Sequence, residues 1–185
     1  TKDHYLVDPW FTVAWWEKLL KDEARMLKWL RKLQVVEFEG YSDNFAANGR
    51  WNSDGNRAVE QFFIATARDE LKHSNLLVDL LRERHKVPYA PYIEPSLFWE
   101  EMDNYVDDLE SCCAVFYYGE RLAAERFIII AEHKDTPGDI KYFIDQALPD
   151  ETYHAHGFKK LAGEFAISEM LPHFNNTLDG LLTRK

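Results

Sequence analysis

Asp69-Glu70-Leu71-Lys72-His73 and Asp150-Glu151-Thr152-Tyr153-His154 are two copies of one pattern, Asp-Glu-x-x-His. The composition of the chain would supply about 0.05 copies by chance, so two copies mark a motif and not a coincidence. On a helix, residues three apart lie on one face a turn apart, and each Glu and His can grip one metal ion together. Both pairs continue an apolar stripe, Phe63, Glu70, His73, Leu77 in the first case and Phe143, Glu151, His154, Phe158 in the second. Carboxylates turned toward a core cost several kcal/mol of desolvation each unless they are paired or hold a metal. A metal resolves the conflict.

Working outward, the flanking sequence reads as helix nearly throughout. With 8 Gly and 7 Pro in 185 residues, long tracts run unbroken. A first helix is expected from about Phe11 to Asn48, where Leu19, Met26, Leu30, Leu33, Tyr41 and Phe45 recur at helical spacing and Asp8-Pro9 supplies a cap and a first-turn proline. The polar loop Gly49 to Gly55 ends it, and a second helix follows from about Asn56 to His85. Val87 to Ser96 holds Pro88, Pro91 and Pro95, which suits a long crossover between helices two and three. The third helix is expected over about Leu97 to His133 and the fourth over about Asp139 to Leu171, with a kink at Pro149. The fold class is therefore all-α, a four-helix bundle, and residues 1–185 make a single domain.

If two helices carry Glu-x-x-His, the other two should each offer an inward carboxylate. On helix one Glu37 continues the stripe Leu30, Leu33, Tyr41, while Glu39 sits off it. On helix three Glu120 continues Cys113, Phe116 and Phe127, and Glu125 shares a face with Leu122, Ile128 and Ile129. Glu37 and Glu120 are the first choices, with Glu39 and Glu125 as alternatives. Carboxylate and imidazole donors without thiolate suit iron or manganese better than structural zinc.

The set of one Glu from each of two helices plus Glu-x-x-His from each of the other two resembles the ferritin-like di-iron carboxylate proteins. The resemblance spans all four expected helices and implies a ferritin-like bundle. It implies two metals held by Glu37, Glu70, His73, Glu120, Glu151 and His154, with Glu70 and Glu151 bridging. It also implies that Asp69 accepts a hydrogen bond from the far nitrogen of His154, and Asp150 from that of His73, which fixes the imidazole tautomers.

Among branches of that superfamily, storage ferritins lack the second Glu-x-x-His. Radical-generating ribonucleotide reductase subunits place a Tyr four residues after the first motif His, where this chain has Leu77. Rubrerythrins usually carry an additional Glu and a Cys₄ module that the adjacent Cys112 and Cys113 cannot supply. The expectation is accordingly an oxygenase or oxidase, similar to the small tRNA-modifying hydroxylases and the aldehyde-deformylating oxygenases. Such a non-haem enzyme of the hydroxylase or monooxygenase type would use two iron ions, or a Mn/Fe pair, with O₂ as co-substrate to oxidise a small organic molecule. A ferroxidase or metal-handling protein without an organic substrate is the alternative. Phe38, Tyr41, Phe45, Phe116 and Tyr117 are the expected substrate-pocket residues, with Ala123 and Ala124 beside them, since they flank the ligands of helices one and three. Ordinary core packing is the competing role for each.

Charge and composition narrow the partners. Lys and Arg number 22 against 32 Asp and Glu, a formal charge of −10, which disfavours nucleic acid as a partner. Six of those acids are placed at the interior site, so the disfavour is mild. No apolar run approaches a membrane span, and the start of the sequence lacks the order of a signal peptide. The two adjacent cysteines cannot staple a fold, and the expected location is the cytoplasm. A small-molecule substrate, an external electron donor and a homodimeric second copy are the compatible partners.

Overall fold

A computed structural model of the chain describes residues 5–86 and 97–183, with side chains described through residue 180. Six helices are present among them: α1 (Pro9–Leu20), α2 (Glu23–Trp51), α3 (Arg57–His85), α4 (Leu97–Asp103), α5 (Leu109–Glu132) and α6 (Gly138–Thr183). No strand occurs among the described residues. The expected crossover at 87–96 lies outside them.

The expected first helix is two. Asp22 accepts a hydrogen bond from Arg25 N at 3.1 Å and caps α2, so the chain stops after Leu20 and restarts. A short side-chain acceptor that satisfies an orphan N–H favours a start over continuation. The expected third helix also divides. Asp108 and Ser111 form a reciprocal capping box that begins α5, leaving α4 as a short separate piece. In α6 the non-helical residue is Gly163, at φ 78° and ψ 160°, and not Pro149, which the helix accommodates. That backbone region belongs almost exclusively to glycine. The helix then continues past Leu171 to Thr183, and Tyr118 Oη donates to Ile167 O at 2.8 Å beside the break.

The bundle consists of α2, α3, α5 and α6. The α2/α3 and α5/α6 hairpins are each packed along their lengths, and α3 meets α6 across the middle. α1 leans on α2 and α5, anchored by Trp16, whose Nε1 donates to Thr136 Oγ1 at 2.9 Å and whose ring meets Trp29 edge-on. α4 covers α5 and α6, with Trp99 set against Gly119 so closely that a Cβ there would collide.

The apolar interior falls into two layers. One is built around Phe63, Cys113, Tyr118, Phe158 and Phe174, the other around Trp16, Leu30, Leu77, Phe127 and Phe143. Each fully buried Phe or Leu contributes about 1.5–3 kcal/mol to holding its layer. Each bundle helix places polar side chains between these layers: Glu37 on α2, Glu70 and His73 on α3, Glu120 on α5, Glu151 and His154 on α6. The functional candidates thus form a slab of charge clamped between two apolar plugs.

Candidate metal centre

Two constellations of ligand atoms occupy that slab. Glu37, Glu70, His73 and Glu151 form one, and Glu70, Glu120, Glu151 and His154 form the other. Within each, the ligand atoms lie within 4.8 Å of one another. Glu70 and Glu151 belong to both, so the arrangement is a pair of adjoining cation positions with two common carboxylates. His73 Nδ1 is 3.2 Å from Glu37 Oε2 and 3.1 Å from Glu151 Oε1. His154 Nδ1 is 3.3 Å from Glu70 Oε1 and 3.7 Å from Glu120 Oε2.

The far nitrogens of both rings are engaged across the bundle. His73 Nε2 donates to Asp150 Oδ2 on α6 and His154 Nε2 donates to Asp69 Oδ2 on α3, both at 3.0 Å. With Nε2 carrying a proton in each ring, Nδ1 is the atom free to bind a cation.

The electrostatics of the slab call for positive charge. Burial pushes the Glu37 and Glu120 carboxyls well above the usual range, reinforced by the charges of Glu151 and Glu70. Burial and then Glu151 also raise Glu70. Burial opposes charge on His73, but the adjacent Glu151 and Glu37 carboxylates outweigh it and push the imidazole up to about 11. The same contest at His154, with Glu120 and Glu70 as partners, raises it to about 12. Burial acts upward on Glu151 too, yet the His73 imidazole beside it brings it below the ordinary value. Protons therefore stand where cations would bind.

Three buried atoms test whether a metal fits. Glu70 Oε1, Glu151 Oε1 and His154 Nδ1 are buried and make no hydrogen bond, although the imidazoles lie within ion-pair distance. Inward lone pairs of oxygen and nitrogen, concentrated in a dry slab without a nearby thiolate, fit two iron ions. Cys112 and Cys113 are buried elsewhere in the bundle, and burial raises both thiols, Cys112 to about 12.

The alternatives to the chosen glutamates are occupied or displaced. Glu125 accepts from Leu6 N at 2.7 Å and from Arg121 Nε at 2.9 Å, tying the N-terminal segment to α5 instead of entering a constellation. Glu39 enters neither constellation. The expected pocket aromatics are dispersed. Phe38 and Phe45 are 48% and 42% exposed and flank Tyr41 in a row along the outside of α2, so they do not enclose the carboxylates. Position 38 is about 100° round the helix from Glu37, which carries its ring off the inner face. Phe116 packs edge-on against Phe63 and Phe158, and buried Tyr117 accepts from Arg121 Nη1 at 3.0 Å.

Sequence patterning passed over two residues beside the centre. Gly40 faces Glu70, and a Cβ built on it would stand 2.8 Å from Glu70 Oε2. A glycine in the middle of a helix costs about 1 kcal/mol relative to alanine, and that cost was the available signal. Lys72, inside the first motif, reaches Asp69 and Asp150.

This slab, in a helical bundle of the ferritin-like type, defines the class of protein: one whose carboxylates and imidazoles fit a di-iron site. The rubrerythrin family model matches residues 41–162, more than half of the chain. The chain belongs to the rubrerythrin family. The matched span contains Glu70, His73, Glu120, Glu151 and His154, while Glu37 lies before it. A search of the curated proteins finds no match. The family assignment corrects the exclusion of rubrerythrins made for want of an additional Glu and a Cys₄ module, because the match over residues 41–162 is made without such a module. Family and site together fit a di-iron centre with a metal-handling or redox role. No described helix is long and apolar enough to cross a membrane.

Proposed function

We propose that the chain is a di-iron oxidoreductase that uses O₂ to oxidise a small organic substrate, with an external donor supplying electrons. The observation that carries this reading is the pair of constellations sharing Glu70 and Glu151, each with one imidazole backed by an aspartate. Two irons held there would supply electrons for reducing O₂ and Lewis acidity. Glu37, Glu70, His73 and Glu151 would hold one ion, and Glu70, Glu120, Glu151 and His154 the other. The protein's own part is to fix both imidazole tautomers, share two carboxylates between the ions, and keep water out with the apolar layers on either side. In a monooxygenation, two electrons come from the substrate C–H and two from the donor. One oxygen atom enters the substrate, and the other leaves as water with two protons.

The test is anaerobic loading with ferrous iron, addition of O₂ with a chemical reductant, and analysis of a panel of small aldehydes, alkanes and amines for oxygenated products. Uptake of two irons with substrate-dependent O₂ consumption supports the reading. Failure to bind iron, or O₂ consumption with no product from any candidate, counts against it. Replacing half the iron with manganese distinguishes an Fe/Fe from a Mn/Fe centre.

A second reading, metal handling without an organic substrate, is favoured by the exposure of Phe38 and Phe45, which leaves the centre without an aromatic enclosure on that side. Continued iron oxidation beyond two ions per chain supports it, and arrest at two opposes it.

A further inference from the structure

We propose that Lys72 is a positioning residue that holds both halves of the metal centre at once, an inference that rests on the two-metal reading above. Lys72 Nζ donates a hydrogen bond to Asp150 Oδ2 and lies 3.7 Å from Asp69 Oδ1. Each of those carboxylates fixes a different imidazole: Asp150 takes Nε2 of His73 and Asp69 takes Nε2 of His154, both at 3.0 Å. One ammonium therefore closes two relays, Lys72–Asp150–His73 and Lys72–Asp69–His154, that run inward to the two cation positions.

The chemistry suits lysine. Its three N–H donors point in separate directions, so one group can serve two carboxylates from different helices. Asp69 stands on α3 and Asp150 on α6, and both lie within ion-pair reach of the same nitrogen. Without the cation their like charges would press them apart, and each would be free to turn toward water. The rings behind them would then lose the partner that sets tautomer and orientation. The two motifs are not equivalent in this respect. The second carries Tyr153 where the first carries Lys72, and Tyr153 is 63% exposed with its ring beside Phe62. The duty falls on the first motif alone.

Simple electrostatics makes the opposite prediction for metal binding, which gives the test its edge. Deleting a cation near a cation site should strengthen binding by Coulomb attraction alone. Loss of a positioning residue should weaken it, and at both positions together.

Cobalt(II) is titrated anaerobically into wild type, Lys72→Met, Lys72→Arg and, as a charge-matched control away from the site, Lys159→Met, with the visible absorption bands followed. Lys72→Met is expected to weaken both binding steps by about tenfold, the lower end of the range for groups behind metal ligands. Lys72→Arg should recover most of that loss, and Lys159→Met should match wild type. In parallel, solvent exchange of the Nε2–H protons of His73 and His154 is measured by nitrogen-edited NMR on metal-free protein, and Lys72→Met should accelerate both. Unchanged or tighter cobalt binding in Lys72→Met, weakening of one step only, or unchanged exchange at either ring overturns the proposal. If wild type itself takes up no cobalt, the two-metal reading fails, and the imidazole exchange rates still decide whether Lys72 positions the rings.

Discussion

Gly40→Ala should move stability and metal affinity in opposite directions. Alanine in place of glycine inside α2 favours the helix by about 1 kcal/mol. The new Cβ would stand 2.8 Å from Glu70 Oε2, 3.2 Å from its Cγ and 3.3 Å from its Cδ. Ordinary contact begins near 3.5 Å, so the carboxylate must retreat by about 0.7 Å. That motion is cheap for the fold, because the end of a flexible side chain does the moving. It is costly for a metal, whose ligand distances tolerate deviations of about 0.2 Å. Glu70 serves both constellations, and one methyl group therefore disturbs both ions. Metal-free Gly40→Ala is expected to melt at the wild-type temperature or up to about 2–4 °C above it, the rise that 1 kcal/mol produces in a chain of this size. Its affinity for ferrous or cobalt ions should fall at least tenfold. Calorimetric melting of stripped protein and metal titration of the same preparation provide the two readouts. Two metals bound with wild-type affinity would refute the reasoning, since the carboxylate would then have room that the close approach denies it.

The raised imidazoles of His73 and His154 imply that metal uptake at pH 7 releases protons, at least one from each ring, and that apparent affinity climbs with pH. Titration calorimetry in buffers of different ionisation enthalpy counts them, and a pH-independent affinity between pH 6 and about 9 contradicts the assignment. The same shifts have a stability consequence in metal-free protein. His73 and His154 hold protons up to about 11 and about 12 when folded, so the folded chain binds more protons than the unfolded one above the ordinary value near 6.5. Glu37 and Glu120, also raised, act in the same direction, and the melting temperature should fall as pH rises from 6 to about 9. Glu120→Ala should lose one of the two metals, whereas Glu125→Ala should keep both and speed proteolysis at the N-terminal segment that Leu6 anchors. Retention of two metals by Glu120→Ala would overturn its role. Gly163→Ala forces a side chain onto a backbone reserved for glycine and should cost about 1–3 kcal/mol by urea denaturation, with wild-type stability as the contrary result.

The helical class and the inward slab were legible because both depend on periodicity. Glu70 with His73 and Glu151 with His154 announce themselves by a three-residue interval on apolar stripes, and Glu37 and Glu120 follow by continuing two further stripes. What escaped was set by single residues acting locally. Asp22 and Asp108 end one helix run and begin another through short hydrogen bonds to backbone N–H groups, and periodicity on either side is undisturbed by such a cut. Gly163 bends α6 with no proline at the bend, while Pro149 passes without non-helical backbone. Side-chain direction was the other gap. Phe38 and Phe45 neighbour Glu37 in spacing but lie on its outward flank, a matter of helical phase that a list of adjacent aromatics conceals. The exclusion of rubrerythrins is the reading that the family match overturns, because it leaned on a cysteine module that the match over residues 41–162 does not depend on.

The crossing of orienting groups also bears on how the chain acquires its metals. The α2/α3 hairpin supplies His73 but Asp150 comes from α6, and the α5/α6 hairpin supplies His154 but Asp69 comes from α3. Each hairpin thus keeps the other's bookmark. A hairpin that forms early has three donors and no group to aim its imidazole, so an ion finds a firm seat only after the two halves have docked. The complete donor set of either position, with its imidazole oriented, exists only in the docked bundle.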